Sequence, residues 1–155
     1  MAERGDRIYV RLATGGDLDA LAALFDAYRQ FYRQVPDLAG ARAFLAERMA
    51  HCQSVILLAE DEESAAPGFA QLYPSFTSMG MKPILILNDL FVVPEARGRG
   101  VGSALLQAAA EHGRAVGAAR LTLKTAIDNL AAQGAYAANG WMRDEAFYSY
   151  DLQLD

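Results

Sequence analysis

Leu87-Asn88-Asp89-Leu90-Phe91-Val92-Val93-Pro94-Glu95-Ala96-Arg97-Gly98-Arg99-Gly100-Val101-Gly102-Ser103 runs from an apolar stretch, across a proline, into a glycine-rich turn. Pro83 to Val93 is apolar except at Asn88 and Asp89, as expected of a central strand covered on both faces, and Pro94 ends it. Arg99 to Val116 is rich in alanine and places Val101, Leu105, Ala108, His112 and Val116 on one predicted helical face. Between the two, the backbone of Arg97, Gly98, Arg99, Gly100, Val101, Gly102 and Ser103 suits a diphosphate. Glycines permit close approach, and the first turn of a helix presents N–H groups with a positive dipole end. Charge agrees, since residues 95–120 carry +2 and the rest of the chain -7. A Walker loop is excluded because Ser103 follows Gly102 with no Lys. A Rossmann fingerprint is excluded because position 103 is not Gly and the next strand ends in Lys124-Thr125 rather than an acidic residue. The competing reading is a plain glycine turn with solvated arginines.

Working outward, Ile8 to Leu12 is a strand candidate, and Asp17 opens a helix running to about Gln34 before Pro36. A second helix is predicted from near Gly40 to His51. Val55 to Ala59 and Pro67-Gly68 through Tyr73 read as a hairpin, with Pro74 to Lys82 as turn residues. After the central helix come a strand over Arg120 to Thr125, a short helix over Asn129 to Ala138, and two final strands, Trp141 to Arg143 and Ala146 to Leu154. The expected fold class is α/β (α+β): a mixed, mostly antiparallel sheet of about seven strands flanked by about four helices, in the order β-α-α-β-β-β-α-β-α-β-β.

The 155 residues suffice for a single domain over 1–155. Hydrophobic residues make up 53% and charged residues 21%, which excludes intrinsic disorder. A net charge of -5 argues against a general nucleic-acid partner. No run approaches the roughly 18 apolar residues of a membrane span. The charged start, Met1 to Arg7, lacks the core of a secretory signal, so a cytoplasmic location is expected. Cys52 is the only cysteine, which forbids an internal disulfide. With two histidines in no ligand spacing, no metal site is expected. His51 and Cys52 are adjacent and point in different directions near a helix end, so Cys52 reads as a small buried hydrophobe rather than a nucleophile.

The stretch from Leu87 to Gly102 resembles the central motif of the GNAT superfamily of acetyl-CoA-dependent N-acetyltransferases, an Arg or Gln, two residues, Gly, one residue, then Gly or Ala. Arg97, Gly100 and Gly102 fill it. Thr125, Asn129, Ala132, Tyr136, Gly140 and Trp141 match the family's second signature. The resemblance implies that acetyl-CoA lies where the central strand splays from the next. Its diphosphate would meet the amides of Gly98 to Ser103, its pantetheine the backbone of Leu90, Phe91 and Val92, and its further contacts Asn129 and Ala132. A strand N–H would hold the oxyanion. Tyr136 stands where the family places the phenol that protonates the leaving thiolate; an amphipathic core tyrosine is the alternative.

The attacking amine must lose a proton, since an alkylamine has a pKa of about 10.4. Asp89 is the candidate acceptor, directly or through water, and a structural hydrogen bond to a neighbouring loop is weighed equally. Glu60 and Asp26 rank below it. The strand is closest in motif to polyamine acetyltransferases, which tend to carry Glu where this chain has Asn88. The family builds its acceptor site from the first two helices and the loop before the central strand, which here supply Tyr28, Phe31, Tyr32, Asp37, Tyr73, Phe76 and Thr77, beside Asn88 and Asp89. Such an aromatic, acidic pocket suits a cationic amine, although Tyr28 and Phe31 read equally well as core. The expected activity is direct transfer of acetyl from acetyl-CoA to a small-molecule primary amine, a polyamine, amino acid or related amine. The alternatives are a non-catalytic acyl-CoA sensor or a protein or peptide acetyltransferase. The family also suggests a homodimer, and the apolar face of Ala146 to Leu154 is read as core or subunit contact.

Overall fold

The computed structural model describes residues 7–155. Of the charged start, Met1 to Arg7, in which no secretory core is expected, residues 1–6 lie outside the described residues. Two compact units divide the chain, one through Lys124 and the second over Thr125–Asp155.

The first unit holds β1 (Tyr9–Leu12), α1 (Leu18–Phe31), α2 (Leu38–Ala50), β2 (Val55–Glu60), β3 (Gly68–Thr77), β4 (Lys82–Val92), α3 (Val101–Ala115) and β5 (Leu121–Thr122). The five strands form one sheet in the order β1-β2-β3-β4-β5. The first three pairings are antiparallel and β4–β5 is parallel. Leu21, Leu24 and Phe25 of α1 with Ala41 and Leu45 of α2 form a core with Ile56, Leu58, Phe69 and Phe91 of the sheet. Buried Asp26 ties the two helices together, accepting from Arg29, Gln30 and the Asp37 backbone N–H, while Asp37 caps α2 by accepting from the Gly40 N–H. The first helix stops at Phe31, short of the predicted Gln34, because Arg33 takes a φ of 64°, outside helical space. The hairpin strand runs on to Thr77 through Pro74. That proline is tolerated because β2 ends its pairing at Leu72, leaving an edge where no N–H is needed.

Three sequence expectations are corrected. The stripe predicted for α3 is shifted: Val101, Leu105, Leu106, Ala109 and Gly113 are buried, while Val116 is 48% exposed. With about 3.6 residues per turn, a strict four-residue step drifts around the helix, and the buried line follows that drift through Val101, Leu105, Ala109 and Gly113. The predicted stripe leaves this line at Ala108, so in the last turn Gly113 rather than His112 is buried, its Cβ position 3.4 Å from Leu121. The strand predicted over Arg120 to Thr125 shrinks to Leu121–Thr122. The seven strands become five, and the predicted order, which ended in two strands, ends instead at α4 (Leu130–Ala138). Trp141 to Arg143 and Ala146 to Leu154 alternate in character but form no ladder among the described residues, and alternation without a partner for N–H and C=O does not make a strand. No helix of the described residues is long and apolar enough to cross a membrane.

Gly68 fixes the junction of β3, β4 and α3. A Cβ there would stand 2.6 Å from the Phe91 carbonyl oxygen and 3.2 Å from Val101 Cγ1. Gly68→Ala is therefore expected to destabilise the protein by about 1–3 kcal/mol, read as a lowered urea midpoint with an unchanged m-value. An unshifted midpoint would contradict this packing.

Candidate functional site

The register between β3 and β4 pairs Gln71 with Asp89 and then Leu72 with Leu87, so Asn88 is the extra residue of a β-bulge. The bulge leaves Asn88 exposed and Asp89 buried. One carboxylate oxygen of Asp89 accepts from Gln71 Nε2 at 2.7 Å and the other from Asn88 Nδ2 at 3.1 Å. The Tyr28 hydroxyl also hydrogen-bonds to this carboxyl and reaches the Asn88 carbonyl at 3.4 Å. Burial raises the Asp89 pKa above the ordinary carboxylate value, and the donors Gln71, Tyr28 and Asn88 pull part of that shift back. Half-buried Tyr73 feels the same charge: desolvation and Asp89 push its phenol up to about 12, against a smaller opposing pull from Arg48. Tyr28, Tyr73, Asn88 and Asp89 thus come together around one buried carboxyl.

Tyr32 packs edge-on against Tyr28, with ring centroids 5.0 Å apart, and Phe31 packs against Tyr32 at 5.2 Å. The rest of the expected acceptor lining divides differently. Asp37 spends its carboxylate on the α2 cap, and Phe76 is exposed near the end of β3. Of the lower-ranked bases, Asp26 is engaged in the α1–α2 tie and Glu60 in an ion pair with Arg11. Cys52, expected to be buried, is exposed at a φ of 52°.

Sequence reasoning missed Gln71. It is fully buried in β3, and its Oε1 has no hydrogen-bond partner among the described residues. The available signal was a lone amide inside the apolar run Phe69 to Leu72.

On its other edge β4 pairs with β5 only at Leu85 and Ile86, so Leu87 to Val92, including Leu90, Phe91 and Val92, has a ladder on the β3 side alone among the described residues. Past Val92, Pro94–Ala96 makes a single 3-10 turn. Gly98 and Gly100 then take φ values of 77° and 79°, and Gly100 caps α3 without a side-chain bond. A Cβ on either glycine would meet nothing within 4 Å, so the turn is open, and Gly102 lies against Val92. Arg97 donates from Nε to the Val92 carbonyl and lays its guanidinium over the Phe31 ring at 5.3 Å. An open amide turn, a half-paired strand edge and a local excess of arginine together fit acetyl-CoA.

The second unit holds α4. Asn129 caps it by accepting from the Ala132 N–H at 3.2 Å. The Tyr136 carbonyl accepts from the Asn139 and Trp141 N–H groups, and its ring lies 6.1 Å from that of Trp141.

Residues 21–141 match the family model described as Acetyltransferase (GNAT) family. The chain is 49% identical over 145 residues to the uncharacterized N-acetyltransferase YhfO of Bacillus subtilis (strain 168), covering 94% of this chain and 97% of that protein. A crystal structure of a probable acetyltransferase superposes with a TM-score of 0.89 at 42% identity, covering 96% of this chain and 98% of the other. The fold is shared at 22% identity and a TM-score of 0.77 with AAC(6')-Iy, solved with a bisubstrate analog, CoA-S-monomethyl-acetylneamine; the match covers 96% of this chain and 99% of that one. With the family model covering most of its length, this chain belongs to the GNAT family of acetyltransferases.

Proposed function

We propose that residues 1–155 act as one acetyltransferase domain that moves the acetyl group of acetyl-CoA directly onto the primary amine of a small cationic molecule. The observation that carries this reading is the buried Asp89 carboxyl at the β4 bulge, with Tyr28 and Tyr73 beside it. Bound acetyl-CoA supplies the activated acetyl thioester. The turn from Arg97 to Ser103 holds its diphosphate and the edge of Leu90, Phe91 and Val92 its pantetheine; the likeness to the family's second signature supports Asn129 and Ala132 as further cofactor contacts. Asp89 takes a proton from the attacking ammonium, leaving the amine its lone pair. Tyr28, Tyr32 and Tyr73 orient the cation by their ring faces, with Asn88 at the mouth. The Tyr136 hydroxyl gives its proton to the departing sulfur.

The acceptor class is a polyamine, amino acid or related amine. The exposed Tyr148, Tyr150, Leu152 and Leu154 support a homodimer. Use of acetyl-CoA supports a cytoplasmic location.

The test is CoA thiol release from acetyl-CoA with polyamines, amino acids, aminoglycosides and a lysine peptide as acceptors. Release with one small-amine class establishes both transfer and acceptor. Release with the lysine peptide alone rejects the small-molecule reading. Saturable acetyl-CoA binding with no release on any acceptor would leave a sensor, and no binding would sink the role of the Arg97 to Ser103 turn.

A further inference from the structure

Among the described residues the buried polar side chains are Asp26, Gln71 and Asp89. Asp26 is satisfied by Arg29, Gln30 and the Asp37 N–H. The other two face each other across the β3–β4 ladder at the bulge, joined by the 2.7 Å bond from Gln71 Nε2 to Asp89. A buried amide with one unmatched oxygen carries a desolvation penalty that an apolar side chain of the same size would avoid. The neighbours Phe69, Ala70 and Leu72 are apolar and buried, so packing alone does not call for an amide at this position. What Gln71 offers is a donor that carries no charge. Arginine or lysine there would hold Asp89 ionised too firmly for it to accept a proton, whereas a residue without a donor would leave the carboxylate in an apolar layer with less support.

We infer that Gln71 is a positioning residue for acetyl transfer: its amide fixes the Asp89 carboxylate at the bulge and serves both protonation states of that group. Before transfer, Nε2–H donates to the ionised carboxylate. As the amine N–H bond breaks and an O–H bond forms on Asp89, a half-turn of the amide about χ3 presents Oε1 to accept from the new O–H. The two amide orientations have nearly the same shape, so the turn needs no repacking. Nothing is oxidised or reduced. This inference rests on Asp89 being the proton acceptor. The other groups acting here are Tyr28 of α1, Asn88 of β4 and Tyr73 of β3, with Arg48 of α2 acting on Tyr73, and all remain in the variants below.

The experiment titrates the Asp89 carboxyl by 13C NMR and measures the pH profile of kcat/KM for thiol release, in the native protein, Gln71→Met and Asp89→Asn. Gln71→Met keeps the volume and removes the donor. The Asp89 midpoint and the acid limb of the profile are both expected to move upward by about one pH unit, a tenfold change in proton affinity. If Gln71→Met does not fold, Gln71→Glu carries the test, because two carboxyls sharing one proton split the Asp89 titration into two steps. An Asp89 midpoint that stays in place in the folded variant, with an acid limb that Asp89→Asn abolishes, overturns the role of Gln71 and keeps Asp89 as base. A midpoint that moves while the limb does not overturns the base role, and with it the catalytic consequence of the pair.

Discussion

Replacing Asp89 with Asn is expected to lower kcat/KM for acetyl transfer by about 10²–10⁴-fold, the usual contribution of a positioned general base, without lowering thermal stability at neutral pH. The two halves of this result have one cause. Asp89 is buried at the β4 bulge, and burial raises its pKa above that of an exposed carboxyl. A carboxyl with a raised folded value stabilises the fold in its neutral form. That contribution is complete below the unfolded value of about 3.9 and is lost as pH rises through the folded value. Asn is neutral at every pH, and its oxygen still accepts from Gln71 Nε2, so the variant escapes the loss. Native activity should rise with pH through the raised Asp89 value, since only the carboxylate takes a proton. The acid limb should be missing in Asp89→Asn. Thermal melts at pH 4 and pH 7.5 beside the pH profile check both halves. A variant that keeps more than about a tenth of native kcat/KM, with its acid limb in place, would move the base to another group or to water.

How much of this was legible in the sequence depended on how local each feature is. The turn was readable because its chemistry lies within a few residues: Pro94 breaks the strand, and Gly98 and Gly100 supply the positive φ values that open the start of α3. Asn88 and Asp89 stood out because they interrupt an apolar run. Their geometry did not, because a bulge belongs to two strands at once, and the offset between Gln71 and Leu72 is set by how β3 lies on β4. Gln71 escaped for the same reason, since only the ladder brings it opposite Asp89. The α3 face was misjudged because the expected stripe steps by three residues from Leu105 to Ala108, whereas the buried side drifts around the helix, following Val101, Leu105, Leu106, Ala109 and Gly113. Asp37 looked like a pocket acid until the start of α2 claimed its carboxylate. The last two strands carried the right alternation, yet alternation reports only which side chains share a face and says nothing of a pairing partner.

Tyr136→Phe is expected to lower kcat for thiol release by about 10²-fold at pH 7 with little change in the KM for acetyl-CoA, the signature of an interaction made only in the transition state. The substitution is narrow. The backbone of Tyr136 is anchored by the C-terminal turn of α4, where Asn139 and Trp141 donate to its carbonyl, and its ring keeps the Trp141 contact, so Phe retains everything but one oxygen. A second feature separates protonation from packing. A thiol has an ordinary pKa of about 8.5, so the departing sulfur needs a proton below that pH and leaves readily as thiolate above it. The deficit of Tyr136→Phe should therefore shrink between pH 7 and 9.5, whereas a deficit from lost packing or lost cofactor affinity would not follow the ionisation of the leaving thiol. Thiol release at saturating acetyl-CoA and acceptor, followed across that range, distinguishes them. A constant deficit would assign the hydroxyl to positioning the donor, and the proton for the sulfur would then come from water.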